Sequence, residues 1–157
     1  MKSEFENIFS KLQKDMVAIC LEYVDFNAED VFIYCSYESG LYQFDVFFKI
    51  NGKIVHKHKL NDAIKELNNQ NNKRGIDVSI ERQRFLLEDG IAHLKLIHEK
   101  FKVSNHNMPS EIKLHYNVKQ NRLKEKYKYD SVYSSDTYLL NQAKFDLWFK
   151  EVEKTVI

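Results

Sequence analysis

The chain has 157 residues, of which 43% are hydrophobic and 30% are charged, with four glycines and one proline. This composition excludes collagen-like, disordered and small disulfide-stapled proteins, and the length predicts a single domain, residues 1–157, with its own core. The net charge of +1 divides into −5 over residues 1–50 and +6 over residues 51–157, so folding can produce an acidic and a basic side.

The first predicted element is a helix that begins at a capping box formed by Ser3 and Glu6. Apolar residues then recur at steps of three and four up to Tyr23, which is typical of a helix with one buried face. Charges are spread through this segment and no apolar signal core interrupts them, so we expect no secretion signal and a cytoplasmic protein. No apolar run reaches the roughly 18 residues that would span a bilayer.

Three strands joined by two tight turns are predicted next. Val31–Tyr37 is rich in β-branched and aromatic residues, and Glu38–Gly40 supplies a turn. The second strand is Leu41–Ile50. Asn51-Gly52 is a strong hairpin signal because both turn positions need a positive φ. Lys53–Lys59 is predicted as the third strand, so this part of the chain forms an antiparallel meander.

Two helices are predicted after the meander. The first is a weaker pattern at 60–71 that ends in a polar loop. The second is a long helix over 78–101, capped by Asp77 or Ser79. The spacing of apolar residues predicts its buried stripe, which comprises Ile80, Leu87, Ile91, Leu94, Ile97 and Phe101.

Residues 112–119 and 122–129 alternate apolar and polar side chains, which predicts a second hairpin with one buried and one solvated face. A last helix is predicted from 137 to about 155. The order of elements predicts an α+β fold: one antiparallel sheet of about five strands, in two hairpin or meander units, with the helices packed mainly on one face.

The sequence contains no motif of a common enzyme or metal site. The glycines are scattered, at Gly40, Gly52, Gly75 and Gly90, so no loop is built to cradle phosphate. His56 and His58 share one face of a predicted strand, but no third ligand lies nearby, and two solvent-facing histidines are the preferred interpretation. Cys20 and Cys35 are interpreted as buried thiols rather than a disulfide. We predict no cofactor and no bound metal.

Two charged surfaces remain as candidate binding sites. The polar side of the second hairpin carries Lys113, Lys119, Arg122, Lys124, Lys126 and Lys128. Such a row can bind phosphate, but the interleaved tyrosines fall on the opposite side, so a solvated face is preferred over a nucleic-acid platform.

The second charged surface is acidic and lies at the end of the first helix and around the first hairpin. It is interpreted either as a solvated rim or as a docking surface for a basic partner, where complementary charge steers association. The predicted docking residues are Glu22, Asp25, Glu29, Asp30, Glu38, Tyr42 and Asp45.

Several longer segments carry a family resemblance: VFIYCSYESGLYQFDVFFK at 31–49, LIHEKF at 96–101, MPSEIKLHYNVKQNRLKEKYKYD at 108–130 and FDLWFKEV at 145–152. Together they resemble the YezG-like family of small bacterial antitoxin or immunity proteins. The resemblance implies that Tyr127, Tyr129 and Trp148 are core residues. It also implies a protein without catalysis that neutralises a cognate toxin, often a secreted nuclease, inside the producing cell. Family members are often clearly acidic, whereas here only the N-terminal half has an acidic bias.

We therefore predict a non-enzymatic immunity protein, monomeric or homodimeric and without a membrane partner. It would occlude the active site of a secreted or contact-delivered toxin. One alternative is a nucleic-acid-binding module that uses the hairpin at 119–128. A second alternative is a small enzyme or metal protein that uses His56 and His58.

Overall fold

The computed structural model describes residues 3–64, 75–129 and 137–155, and it confirms the predicted α+β fold around one five-stranded antiparallel sheet. The elements in chain order are α1 (Glu4–Tyr23), β1 (Asp30–Glu38), β2 (Leu41–Ile50), β3 (Lys53–His56), α2 (Leu60–Ile64), α3 (Ile80–Val103), β4 (Glu111–Asn117), β5 (Arg122–Lys128) and α4 (Thr137–Thr155). The strand order across the sheet is β3-β2-β1-β4-β5. The rest of the helix predicted at 60–71 lies outside the described residues.

The predicted local signals set the start of α1 and the turn between β2 and β3. Ser3 Oγ accepts the N–H of Glu6 at 3.1 Å, and Glu6 Oε1 accepts the N–H of Ser3 at 3.0 Å, which completes the capping box. Asn51 and Gly52 have φ values of +53° and +81°, as the turn between β2 and β3 requires. The third strand ends at His56 instead of Lys59, because Lys59 N–H closes a turn onto the His56 carbonyl at 3.0 Å.

Helices α1, α2 and α3 cover one face of the sheet and form the main core with it. The sheet contributes Val31, Ile33, Cys35, Phe44, Val46, Phe48, Ile50, Val55, Ile112 and Leu114. Both cysteines are buried and free, as predicted. Gly90 of α3 faces the Phe44 ring so closely that an added Cβ would collide with it. The missing side chain therefore sets how near α3 lies to β2.

One residue of the predicted α3 stripe is misplaced. Ile80 is 85% exposed, although it lies on the helix face that includes the fully buried Leu94. Ile80 occupies the first turn of α3, so this turn extends beyond the layer that packs on the sheet. The fully packed positions begin at Leu86 and include Gly90 and His98, which periodicity of apolar residues did not select.

Helix α4 covers the opposite face of the sheet and forms a second, separate core. Phe32, Tyr34, Phe47 and Ile54 from the sheet pack with Phe145, and these are joined by Trp148, Phe149 and Val152. None of the helices in the described ranges combines the length and apolarity that a bilayer crossing requires.

Two expectations about the β4–β5 hairpin are wrong. Its predicted solvated face is partly covered, because Lys113 Nζ lies 5.5 Å from the Trp148 ring and the His115 ring stacks on Phe32 at 4.3 Å. Tyr127 is partly buried against the main core, but Tyr129 is 60% exposed. Tyr129 is not a core residue because it follows the end of β5.

The Gly90–Phe44 contact can be tested by substitution. In an exposed helix, glycine to alanine stabilises by about 1 kcal/mol. Here we expect Gly90→Ala to destabilise by about 1–3 kcal/mol, because the added methyl group meets a buried ring. Urea unfolding measures the change. In a Phe44→Leu background the same substitution should cost less, and an equal cost in both backgrounds would contradict the contact.

Candidate functional site

The predicted docking residues do not assemble into one surface, and Asp30 is the clearest departure. Its side chain was expected to be solvated but is only 5% exposed. Asp30 Oδ2 accepts hydrogen bonds from His115 Nε2 at 2.7 Å and Asn117 Nδ2 at 3.0 Å. Because Asp30 opens the central strand β1, its carboxylate ties β1 to β4 and is not free to meet a partner.

Two further predicted docking residues form hydrogen bonds or ion pairs that hold the β2–β3 edge of the sheet. Asp45 Oδ1 lies 3.0 Å from Lys57 Nζ and accepts the N–H of Val46 at 2.8 Å. Glu29 is exposed, but its Oε1 accepts the N–H of Gly52 at 2.7 Å and so holds the β2–β3 turn. Both carboxylates are already engaged in positioning the meander.

Tyr42 and Glu38 lie beside the turn that joins β1 to β2. Tyr42 Oη is 2.6 Å from His98 Nδ1, and its ring centroid is 4.6 Å from that of Tyr37. Burial lowers the pKa of His98, and the charge of Lys102 lowers it further. This aromatic and histidine cluster connects the hairpin to α3, a contact that the sequence did not indicate.

Glu22 and Asp25 remain exposed at the end of α1. Glu22 lines a cleft of about 180 Å³ between α1 and α3, together with Ile19, Tyr23, Arg82, Phe85, Leu86 and Asp89. Arg82 donates from its Nη2 atom to the carbonyls of Glu22 at 3.3 Å and Tyr23 at 3.0 Å, which fixes the two helices at this point. Glu22 is thus a predicted docking residue that is both exposed and next to α3.

The outward side of α3 carries an unpredicted apolar stripe. Phe85, Leu96 and Val103 are 52%, 50% and 74% exposed, and Ala92 is exposed between them. At about 100° per residue, these four positions fall within about 20° of one line along the helix. We call this stripe, with its neighbouring carboxylates, the α3 outer face: Phe85, Ala92, Leu96, Val103, Glu81, Glu88, Asp89 and Glu99.

The carboxylates of the α3 outer face are available for an external partner. Glu81, Glu88, Asp89 and Glu99 are all exposed, and none forms an ion pair with another described residue. Lys95 lies beside the stripe, with its ammonium 5.6 Å from the Tyr42 ring. The signal was present in the sequence, because the spacing of seven, four and seven residues marks a second apolar line opposite the buried one.

A second surface is basic and lies on β4 and β5, on the sheet side that α4 also occupies. The strand register places Lys113 opposite Lys126, His115 opposite Lys124 and Asn117 opposite Arg122. We call this surface the basic sheet face: Lys113, Arg122, Lys124, Lys126 and Lys128. Tyr116 and Tyr127 pack toward the main core on the other side, as predicted.

The His56 and His58 pair does not form a metal site with other described residues, since no group of three possible ligands occurs among them. The ring centroids are 5.5 Å apart, and the His56 ring stacks on Phe149 of α4 at 3.8 Å. His56 is therefore half-buried, and the expectation that it faces solvent is wrong. Burial lowers the pKa of His56, with a further contribution from His58.

No protein-family model matches the chain, and a search of curated protein sequences finds no relative. Function must therefore be inferred from the two surfaces, which differ in charge and in composition. The α3 outer face combines carboxylates with exposed apolar side chains. The basic sheet face combines cations with two buried carboxylates.

The structural role of Asp30 predicts a large effect on stability. We expect Asp30→Ala to lower the free energy of unfolding by about 2–4 kcal/mol, because His115 and Asn117 lose their shared acceptor. Thermal or urea unfolding measures the loss. Glu22→Ala, at an exposed position, is the control and should change stability by less than about 0.5 kcal/mol. Equal effects of the two substitutions would contradict the buried role.

The lowered pKa values of His56 and His98 predict that stability depends on pH. Each lowered pKa corresponds to a contribution to folding stability from the neutral imidazole. Above the unfolded histidine pKa of about 6.5 both of these contributions are fully present. They are lost as the pH falls through the lower folded values, because the unfolded chain then binds more protons.

The measurement is urea unfolding between about pH 7 and 5. The His56→Gln, His98→Gln double variant should lose less stability over this range than the unsubstituted protein. His58→Gln, at an exposed position, is the control and should retain most of the dependence, because burial is a larger cause of the lowered pKa of His56 than His58 is. A double variant with an undiminished dependence on pH would exclude these two histidines as its source.

Proposed function

We propose that this protein is an immunity protein that neutralises a cognate toxin by binding over the toxin's active site, with no catalysis of its own. The observation that carries the proposal is the α3 outer face, where exposed apolar side chains run beside carboxylates that form no ion pair with another described residue. An exposed apolar stripe on a helix with a polar border is typical of a protein–protein interface.

The charge of this face suits a nuclease toxin. A nuclease presents a basic cleft to the phosphates of its substrate, and carboxylates on a rigid helix can occupy the same cleft. Glu81, Glu88, Asp89 and Glu99 occur at intervals along the α3 outer face, and Glu22 of α1 extends the acidic surface at the adjoining cleft. We therefore assign the docking surface to the helices, whereas the sequence suggested the end of the first helix and the first hairpin.

The length of the α3 outer face suits a tight complex. The 18 residue-to-residue steps from Phe85 to Val103 span about 27 Å at about 1.5 Å per step. Specific complexes bury about 800 Å² on each partner and depend on a few apolar or aromatic anchors near the centre. Phe85 and Leu96 are placed to serve as such anchors. The protein would act in the cytoplasm of the producing cell, as a monomer or a homodimer.

The anchors can be tested by co-expressing this protein with the product of the neighbouring reading frame as the candidate toxin. Phe85→Ala and Leu96→Ala should each weaken binding by at least about tenfold, mainly through faster dissociation. Leu147→Ala on α4 removes a leucine of similar exposure, 53%, and is the matched control. Surface plasmon resonance and growth protection measure the outcome. Equal losses at Leu96 and Leu147 would contradict the assigned surface.

The carboxylates can be tested by reversal of charge. The double variant Glu88→Lys, Glu99→Lys should slow association by about tenfold or more at low salt, because steering of the basic toxin is lost. The control is Glu151→Lys, Glu153→Lys, which makes the same change in net charge at exposed positions of α4. A control that slows association as much as the α3 variant would mean that only net charge matters, and the proposed surface would fail.

A further inference from the structure

We propose that the basic sheet face binds the phosphate backbone of nucleic acid, through contacts separate from the α3 outer face. The two surfaces lie on different layers of the molecule. Helix α3 packs on the main-core side of the sheet, whereas the cations of β4 and β5 extend on the side of α4. Binding at one surface therefore does not require the other.

The first support is the strand register. Lys113 is the direct cross-strand partner of Lys126. Like charges directly opposite each other on one sheet face destabilise a strand pair. A ligand that places anionic oxygens between the two strands would offset this repulsion. Anion binding therefore explains why two lysines face each other at this point.

The second support is the layer of buried carboxylates beneath the cations. Glu111 is 3% exposed, and its Oε1 lies 4.0 Å from the Nζ atoms of both Lys113 and Lys128. Its Oε2 accepts the hydroxyl of Tyr34 at 2.6 Å. At the other end of β4, the buried Asp30 Oδ2 lies 2.7 Å from His115 Nε2. Glu111 therefore holds two of the five cations with a single negative charge, so the surface is positioned without being neutralised.

The third support is the unpaired, regular row along β5. Arg122, Lys124 and Lys126 are exposed and form no ion pair within the described part of the chain. Alternate residues on one face of a strand repeat at about 6.8 Å, and Arg122–Lys128 covers about 20 Å. Such a row matches a linear series of phosphates.

The composition of the face favours nucleic acid over an acidic protein. Protein interfaces depend on aromatic and other large anchors, whereas the exposed members of this face are cations. Tyr116 and Tyr127 point into the main core and cannot stack on bases here. The contacts are therefore to the backbone, and binding should be independent of base sequence.

The probes are fluorescein-labelled single strands and duplexes of about 20 nucleotides, with binding measured by fluorescence anisotropy between about 50 and 200 mM salt. The test variant is Lys124→Gln, Lys126→Gln. Its control is Lys100→Gln, Lys102→Gln, which removes two exposed lysines from α3. We expect the test variant to bind at least about tenfold more weakly at low salt, and its log–log salt slope to decrease by about 1.4–1.8. The control should bind like the unsubstituted protein.

Stability separates a binding defect from a folding defect. Removal of Lys126 relieves repulsion with Lys113, so the test variant should be as stable as the unsubstituted protein or more stable. Three results would overturn the proposal. They are no salt-dependent binding at the lowest salt, equal losses in test variant and control, and tighter binding of polyglutamate than of the oligonucleotide at matched charge. The last result would assign the face to an acidic protein.

Discussion

The whole architecture depends on β1, which is paired on both edges and covered on both faces. It pairs with β2 over Asp30–Glu38 and with β4 over Asp30–Ser36. Successive side chains of β1 point to opposite faces of the sheet and so enter different cores. Ile33 packs in the core beneath α1 and α3, and Phe32 packs in the core beneath α4. A strand with no free edge and no solvated face allows little change in register, because a shift by one residue would exchange the two cores.

Local signals in the sequence predict the elements well, because the physical causes are local. The capping box of α1 and the Asn51-Gly52 turn each depend on residues within three positions of one another. The burial of Asp30 could not be predicted in this way. Its partners His115 and Asn117 are 85 and 87 residues away and meet it only after β1 pairs with β4. The placement of α4 on the far side of the sheet is likewise a tertiary outcome.

The candidate surfaces illustrate the same distinction. Division of charge along the sequence suggested an acidic N-terminal half, but Asp30, Asp45 and Glu29 are used to hold strands and turns. The exposed carboxylates that accompany apolar side chains belong to α3, within the half that has a net positive charge. The basic row was visible from alternation alone, whereas the opposition of Lys113 and Lys126 needed the register. Surface charge is therefore a property of the sheet and helix layers more than of sequence halves.

The single tryptophan gives the molecule a natural optical reporter. Trp148 is the only indole in the chain, and it packs edge-on against Phe47 with ring centroids 5.1 Å apart. Its emission therefore follows the integrity of the α4 layer alone, while far-ultraviolet dichroism follows every helix and strand. Denaturation curves recorded by the two spectroscopies report whether the layers on either side of the sheet melt together or in sequence.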